Sequence, residues 1–158
     1  MKPITPHLWF DTADQVKEAT AYYVSVFPNS KITNTTTLHS TPTPGGDTVV
    51  ISFELNGRPF MAINGGPIFK FNESVSFIIT CEDQAEIDYY WSKLSAVPES
   101  EQCGWCKDKY GLSWQVTPSW MDEVMTSGDQ AKIDRITQAF LPMKKIDLGA
   151  LQRVAAGE

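Results

Sequence analysis

The chain has 158 residues, 42% of them hydrophobic and 20% charged, which is typical of a globular domain and excludes a disordered chain. Its formal net charge is -6, and no basic cluster stands out except Lys144-Lys145, so we predict no nucleic-acid partner. No apolar run approaches the roughly 20 residues that span a bilayer, and the first residues lack the apolar stretch of a signal peptide, so we predict no membrane partner. The three cysteines are an odd number and do not suggest a disulfide framework, which favours the reducing cytoplasm.

The first half of the sequence predicts the order βαβββ. A strand over 4–10 precedes a helix that starts within 11–14 and runs to about Phe27, and its apolar positions recur every three or four residues: Val16, Ala19, Tyr23 and Val26. A Thr-rich strand over 31–40 and a loop rich in Pro and Gly over 41–47 follow. Strands over 48–55 and 58–64 then flank Asn56-Gly57, a dipeptide that strongly predicts a two-residue hairpin turn.

The second half repeats this order of elements without repeating the residues. It predicts a strand, a helix and two more strands, over 75–81, 84–96, 101–107 and 112–118. Because neither half can bury its sheet alone, we expect the halves to pair into one domain. Helices are predicted over 121–125, 129–141 and 147–154.

These elements predict an α+β fold with a defined domain organisation. A single domain occupies 1–119, with one module over about 4–66 and a second over about 75–118. A helical extension occupies 120–158, with Asp129 and Asp147 as the N-caps of two of its helices.

Six segments along the chain carry a family resemblance: LWFD, YYVSVFPNSKI, FELNGRPFMAINGGPIFKFNES, CEDQAEIDYYWSKL, QCGWCKDKYGLSWQVTP and MKKIDLGAL. The chain resembles the PhnB-like branch of the vicinal oxygen chelate (glyoxalase/bleomycin-resistance/dioxygenase) superfamily. The resemblance implies paired βαβββ modules, the glyoxalase/bleomycin-resistance fold, and a homodimer. Proteins of this branch often carry the label 3-demethylubiquinone-9 3-methyltransferase. The residues themselves do not predict methyl transfer, since the sequence has no Gly-rich turn of the G-x-G type from a strand into a helix.

The superfamily also implies where a metal would bind, on the first and last strands of each half. Mapped by strand position, these places fall on or beside His7, Ala62, Ser76 and Gln115. A catalytic divalent ion needs three or four N, O or S donors, but Ala62 offers none and the amide or hydroxyl groups are weak donors. Asn64 adds at most one amide oxygen. We therefore predict no bound metal and no cofactor.

Strand alternation predicts an apolar and aromatic cup for a small molecule. His7 and Trp9 share one face of the first strand, and we assign the hairpin's aromatic face to the same cup. The predicted ligand-binding residues are Trp9, Phe53, Asn64, Ser76 and Gln115. Alternation also places Ser113 on the face of Gln115. The alternative is that these side chains fill a closed core.

The sequence leaves several functional classes open. His7 is the best candidate for acid/base catalysis because an imidazole titrates near pH 6.5, although no carboxylate on its own strand orients it. We favour a metal-independent small-molecule-binding dimer of the bleomycin-resistance type. The alternatives are an isomerase, transferase or lyase that uses His7, and an interaction protein that acts through its C-terminal helices.

The segment Cys103-Gly104-Trp105-Cys106 has the spacing of a redox motif. We predict that it lies within a strand, where two cysteines three residues apart face opposite sides and lie too far apart for a disulfide. The same strand assignment predicts that Trp105 and Trp114 are cross-strand neighbours in the core.

Overall fold

The structure is a computed structural model that describes residues 4–157, and its contacts divide the chain into two compact units, Met1–Phe71 and Asn72–Glu158. Residues 1 and 158, at which the predicted domain boundaries begin and end, lie outside the described residues. The grouping of both modules into one domain stays a prediction. The mixed α+β composition and the βαβββ order of the first module are confirmed.

The first unit contains one four-stranded sheet and one helix: β1 His7–Phe10, α1 Ala13–Val26, β2 Lys31–His39, β3 Asp47–Leu55 and β4 Arg58–Asn64. The strand order is β1-β4-β3-β2, with β1 parallel to β4 and the other pairs antiparallel. The predicted hairpin turn is confirmed, since Asn56 and Gly57 both have positive φ, 48° and 74°, as a type I′ turn requires.

Helix α1 forms where capping and apolar spacing both favour it. The Thr12 hydroxyl accepts a hydrogen bond from the Gln15 amide at 3.1 Å, which satisfies one of the free donors of the first turn. The predicted stripe of Val16, Ala19, Tyr23 and Val26 is buried, as expected for a helix that packs on β3 and β4. The helix ends before Phe27-Pro28, because a proline cannot continue it.

The second unit contains a three-stranded sheet, ordered β5-β7-β6, and four α-helices. Its elements are β5 Ser76–Cys81, α2 Gln84–Leu94, β6 Trp105–Lys107, β7 Ser113–Pro118, α3 Ser119–Met125, α4 Gln130–Phe140 and α5 Leu148–Ala156. Among the described residues of this unit no counterpart of β2 follows the helix. A short 3-10 turn over Pro98–Ser100 stands there instead, and its proline has no N–H to offer a sheet.

The C-terminal helices belong to the second unit. Asp129 and Asp147 cap α4 and α5 by accepting from the Lys132 and Ala150 amides at 3.0 and 2.8 Å, as predicted. A small core joins α3, α5 and the segment before α5, with three buried side chains: Met121, Ile146 and Leu151. The carbonyls of Met143 and Lys144 also accept hydrogen bonds from the Cys103 and Gly104 amides, at 2.6 and 2.8 Å.

The placement of Cys103 within a strand is wrong. Cys103 and Gly104 have positive φ, 43° and 87°, and form a tight turn in which Gln102 and Trp105 exchange both backbone hydrogen bonds. Strand β6 therefore begins at Trp105. The predicted pairing of Trp105 with Trp114 is also wrong by one position, because Trp105 lies opposite Gln115, and Trp114 lies opposite Cys106.

Candidate ligand-binding site

Each sheet has one face packed against a helix, and in the first unit that face includes Phe53. Burial alternates along the strands, so Phe10, Phe53 and Ala62 are buried, whereas His7 is exposed and Trp9 partly exposed. The assignment of Phe53 to the same face as His7 and Trp9 is therefore wrong. The face that carries His7 and Trp9, away from the helix, is called the first open face; it also carries Val50, Ser52, Met61 and Ile63.

Asn64 also lies on the helix side, because it is the register partner of buried Phe10. Its side-chain oxygen accepts from the Val49 amide at 2.6 Å and its amide group donates to the Asp47 carbonyl at 3.2 Å. Both polar atoms thus hold the start of β3. The placement of Asn64 in one cup with His7 is wrong, and its role in ligand binding stays a prediction.

Trp9 is fixed on the first open face by the segment that follows β4. Its indole N–H donates to the Gly66 carbonyl at 2.9 Å, and its ring meets Phe69 edge-on at 5.2 Å between centroids. A side chain at Gly65 would collide with the indole, since a Cβ there would lie 1.9 Å from the Trp9 ring. The ring is therefore held flat against a position that requires glycine.

The second unit brings two of the predicted residues together. Gln115 donates from its side-chain nitrogen to the Ser76 hydroxyl at 2.9 Å, across the parallel pair of β5 and β7. Both residues lie away from the helix side, where Trp114 and Val116 are buried. This second open face also carries Ile78, which is 62% exposed on the edge strand β5.

A cleft of about 490 Å³ lies beside the second open face, within the range of small-molecule sites. Its lining includes Glu73, Gln102, Trp105, Lys107 and Ser113. The sequence analysis did not predict Glu73 and Lys107 as residues of this site, because the distance between them depends on the order of the strands rather than on their spacing in the sequence. The alternation that placed Gln115 also placed Ser113 on this face.

Asp108 positions the loop between β6 and β7, and sequence reasoning missed it as well. Its buried carboxylate accepts from the Tyr110 and Leu112 amides at 2.8 and 3.1 Å and from the Trp114 indole N–H at 2.9 Å. An aspartate that bonds the amide two residues ahead forms an Asx turn, and the sequence Asp-Lys-Tyr-Gly carries that signal. The carboxylate thereby sets the register of Lys107 and Ser113 at the cleft.

Electrostatics at the cleft follow from burial and from one ion pair. Lys107 donates to Glu73, and this hydrogen bond lowers the pKa of the Glu73 carboxyl below its usual value. Burial raises the pKa of the Cys106 thiol to about 12 and also raises that of Cys103. Both thiols are therefore protonated at neutral pH and are poor nucleophiles.

Comparison with known proteins identifies the family. The model of the 3-demethylubiquinone-9 3-methyltransferase family matches residues 2–117. The chain belongs to this family. The PhnB protein from Bacillus cereus superposes with a TM-score of 0.61 at 34% identity, over 75% of this chain and 100% of that chain. Protein PA1353 from Pseudomonas aeruginosa superposes with a TM-score of 0.57 at 17% identity, over 75% and 98% of the two chains, and supports the fold alone.

The resemblance to PhnB-like proteins is thus confirmed. No curated protein matches the sequence. In residues 4–157, no helix combines the length and apolar character needed to cross a bilayer.

The metal positions implied by the superfamily do not fit a metal in this PhnB-like chain. The β4 residue beside His7 is Met61, whereas the mapped Ala62 lies opposite Leu8 on the helix side. The His7 imidazole makes no hydrogen bond to a side chain or carbonyl of residues 4–157, so no such bond orients its ring. No group of three or more His, Cys, Asp or Glu side chains comes together among the described residues. The donors therefore fall short of a divalent site, and the acid/base role of His7 stays a prediction.

Proposed function

We propose that this PhnB-like protein is a metal-independent small-molecule-binding homodimer of the bleomycin-resistance type. The observation that carries the proposal is the open face of each sheet. Side chains on the helix sides of β3 and β7 are buried, whereas the opposite faces hold partly exposed aromatic, aliphatic and amide groups. A mostly apolar surface with sparse polar anchors is the usual lining of a small-molecule site.

The donor set supports binding without a metal. The β4 residues on the first open face are Pro59, Met61 and Ile63, whose side chains supply no oxygen or nitrogen ligand. On the second open face the Gln115 amide and the Ser76 hydroxyl already bond each other. These neutral groups are suited to orient a ligand by hydrogen bonds, and they bind divalent ions weakly.

Strand β2 supports the proposed homodimer. All nine of its residues are exposed, and it forms one edge of its sheet, so its outer backbone groups are open to pairing. Leu38, 48% exposed, adds apolar surface along that edge. We expect Leu38→Lys to shift the protein toward monomer in light scattering, with Thr37→Lys, on the opposite face of the strand, as the matched control. A monomeric wild-type protein would contradict the dimer.

The cysteines support a cytoplasmic location. Cys81, Cys103 and Cys106 are free thiols, and two of them are buried. Unpaired cysteines fit a reducing compartment better than an oxidising one.

The test is a thermal-shift screen of aromatic and amphiphilic compounds on protein whose metal content has been measured. A ligand at 100 times its Kd stabilises the folded state by about 2.7 kcal/mol, which gives a clear shift. We expect compounds that raise the melting temperature of the wild-type protein. This increase should be smaller in the Gln115→Ala variant and unchanged in Gln130→Ala, a control on the exposed side of α4. Near-stoichiometric zinc, manganese, nickel or iron, or a screen without hits, would contradict the proposal. Turnover of a hit that His7→Ala abolishes would favour the enzyme instead.

A further inference from the structure

Ser113 is a polar group that the fold leaves unsatisfied. It is 1% exposed, its hydroxyl has no hydrogen-bond partner among the described residues, and it lines the cleft. A buried hydroxyl without a partner costs stability, so native proteins keep such groups where they serve another purpose. A ligand oxygen that accepts from this hydroxyl would satisfy it.

Lys107 supplies a second donor at the same place. It is the direct cross-strand partner of Ser113, and its ammonium group pairs with Glu73, which lies just before β5. Since β7 runs between β6 and β5, this ion pair joins β6 to the segment before β5, on either side of Ser113. Surface ion pairs contribute little stability, so a ligand can shift this one at low cost. An ammonium has three donors, and Glu73 leaves others for a ligand.

Trp105 and the charged residues of the cleft indicate the shape and the charge of the ligand. Trp105 alternates with Lys107 along β6, so its partly exposed indole lies on the same face and offers a flat apolar surface. The charged lining is one ammonium, Lys107, against two carboxylates, Glu73 and Glu99. The two carboxylates disfavour an anion, whereas the Lys107 ammonium disfavours a cation.

We propose that this cleft binds an uncharged planar molecule through a carbonyl oxygen. The oxygen accepts from the Ser113 hydroxyl and from the Lys107 ammonium, and the ring of the ligand stacks on Trp105. This inference rests on the proposed small-molecule binding and adds its chemical class and its anchoring residues.

The experiment compares three probes with the same ring and different charge, benzamide, benzoate and benzylamine, by NMR titration of the ¹⁵N-labelled full chain. We expect benzamide to move the Trp105 indole and Ser113 amide signals saturably, with a Kd about fivefold lower than either charged probe, a difference of about 1 kcal/mol. Ser113→Ala should raise the benzamide Kd about fivefold, the effect of one lost hydrogen bond. Ser92→Ala, which removes an exposed hydroxyl on α2, is the matched control and should leave it unchanged.

Ser113→Ala also separates binding from folding. Removing an unsatisfied buried hydroxyl should leave the melting temperature equal or higher while binding weakens. Tighter binding of benzoate, or a benzamide Kd unchanged in Ser113→Ala, would overturn the inference. If the thermal-shift screen finds ligands but no probe moves the cleft signals, the ligand class is wrong and small-molecule binding stands. If neither experiment detects binding, both proposals fail.

Discussion

Asp108→Ala should lower the free energy of unfolding by about 3 kcal/mol. The Asp108 carboxylate accepts hydrogen bonds from three N–H groups. Those of the Leu112 amide and the Trp114 indole are buried, whereas the Tyr110 amide is partly buried and can bond to water instead. A buried donor left without an acceptor costs roughly 1–3 kcal/mol. Two such donors at about 1.5 kcal/mol each give the expected loss.

Urea denaturation followed by circular dichroism measures this loss. Asp108→Asn should fall between the alanine variant and wild type, because its amide oxygen still accepts while its NH₂ group faces the Trp114 N–H. Asp134→Ala is the matched control, since that carboxylate lies on the exposed side of α4 beside Gln130, and a change within about 0.5 kcal/mol is expected. The m-values of all variants should agree, so that the difference reports stability alone.

A loss below about 1 kcal/mol for Asp108→Ala would refute the reasoning, since it would mean that water reaches both buried donors. A double-mutant cycle locates the interaction. Trp114→Phe removes one of the two buried donors, so the double variant should lose about 1 kcal/mol less than the sum of the single variants. A strictly additive double variant would place the effect of Asp108 elsewhere.

Three further predictions concern thiols, packing and titration. In native protein at pH 8, Cys103 should be the one thiol of three that an aromatic disulfide titrates, because it is partly exposed whereas Cys81 and Cys106 are buried and out of the reagent's reach; three rapid equivalents would contradict this. Gly65→Ala should destabilise the protein by about 1–3 kcal/mol and alter the Trp9 emission, since the new Cβ collides with the indole, and unchanged emission would show that the ring yields freely. Lys107→Met should raise the Glu73 pKa, measured by carboxyl NMR, toward its ordinary value, because the hydrogen bond and the charge of Lys107 are both lost. The Lys107–Glu73 pair stabilises the fold at pH values above the ordinary carboxyl pKa, and this stabilisation is lost as pH falls through the lowered Glu73 pKa. An unchanged Glu73 pKa in the variant would contradict Lys107 as the cause of the shift.

The parts of the fold that sequence analysis predicted depend on local signals. Asn56-Gly57 fixed a hairpin because a type I′ turn needs positive φ at both positions, and the stripe on α1 followed from helical spacing alone. The N-caps Asp129 and Asp147 were likewise readable within one helical turn.

The composition of the site depended on register, which is not a local property. The mapping of metal positions put Ala62 beside His7, whereas the parallel pairing of β1 with β4 puts Met61 there. A slip of one residue moves every side chain of a strand to the other face, and this is why Phe53 and Asn64 were placed with Trp9. Ser76 and Gln115, both predicted to line the cup, do lie on one face of their sheet, because alternation assigned each of them to the correct side.

The contacts of the Cys103-Gly104 turn have a consequence for the order of folding during synthesis. The amides of this turn donate to carbonyls about forty residues later in the chain, at Met143 and Lys144. Pairing between residues so distant in sequence forms late, because the intervening chain must first be made and ordered. On a ribosome, the amides of Cys103 and Gly104 can make these bonds only after the segment before α5 has emerged. Stalling translation ahead of Met143 should therefore leave the second unit open to proteases.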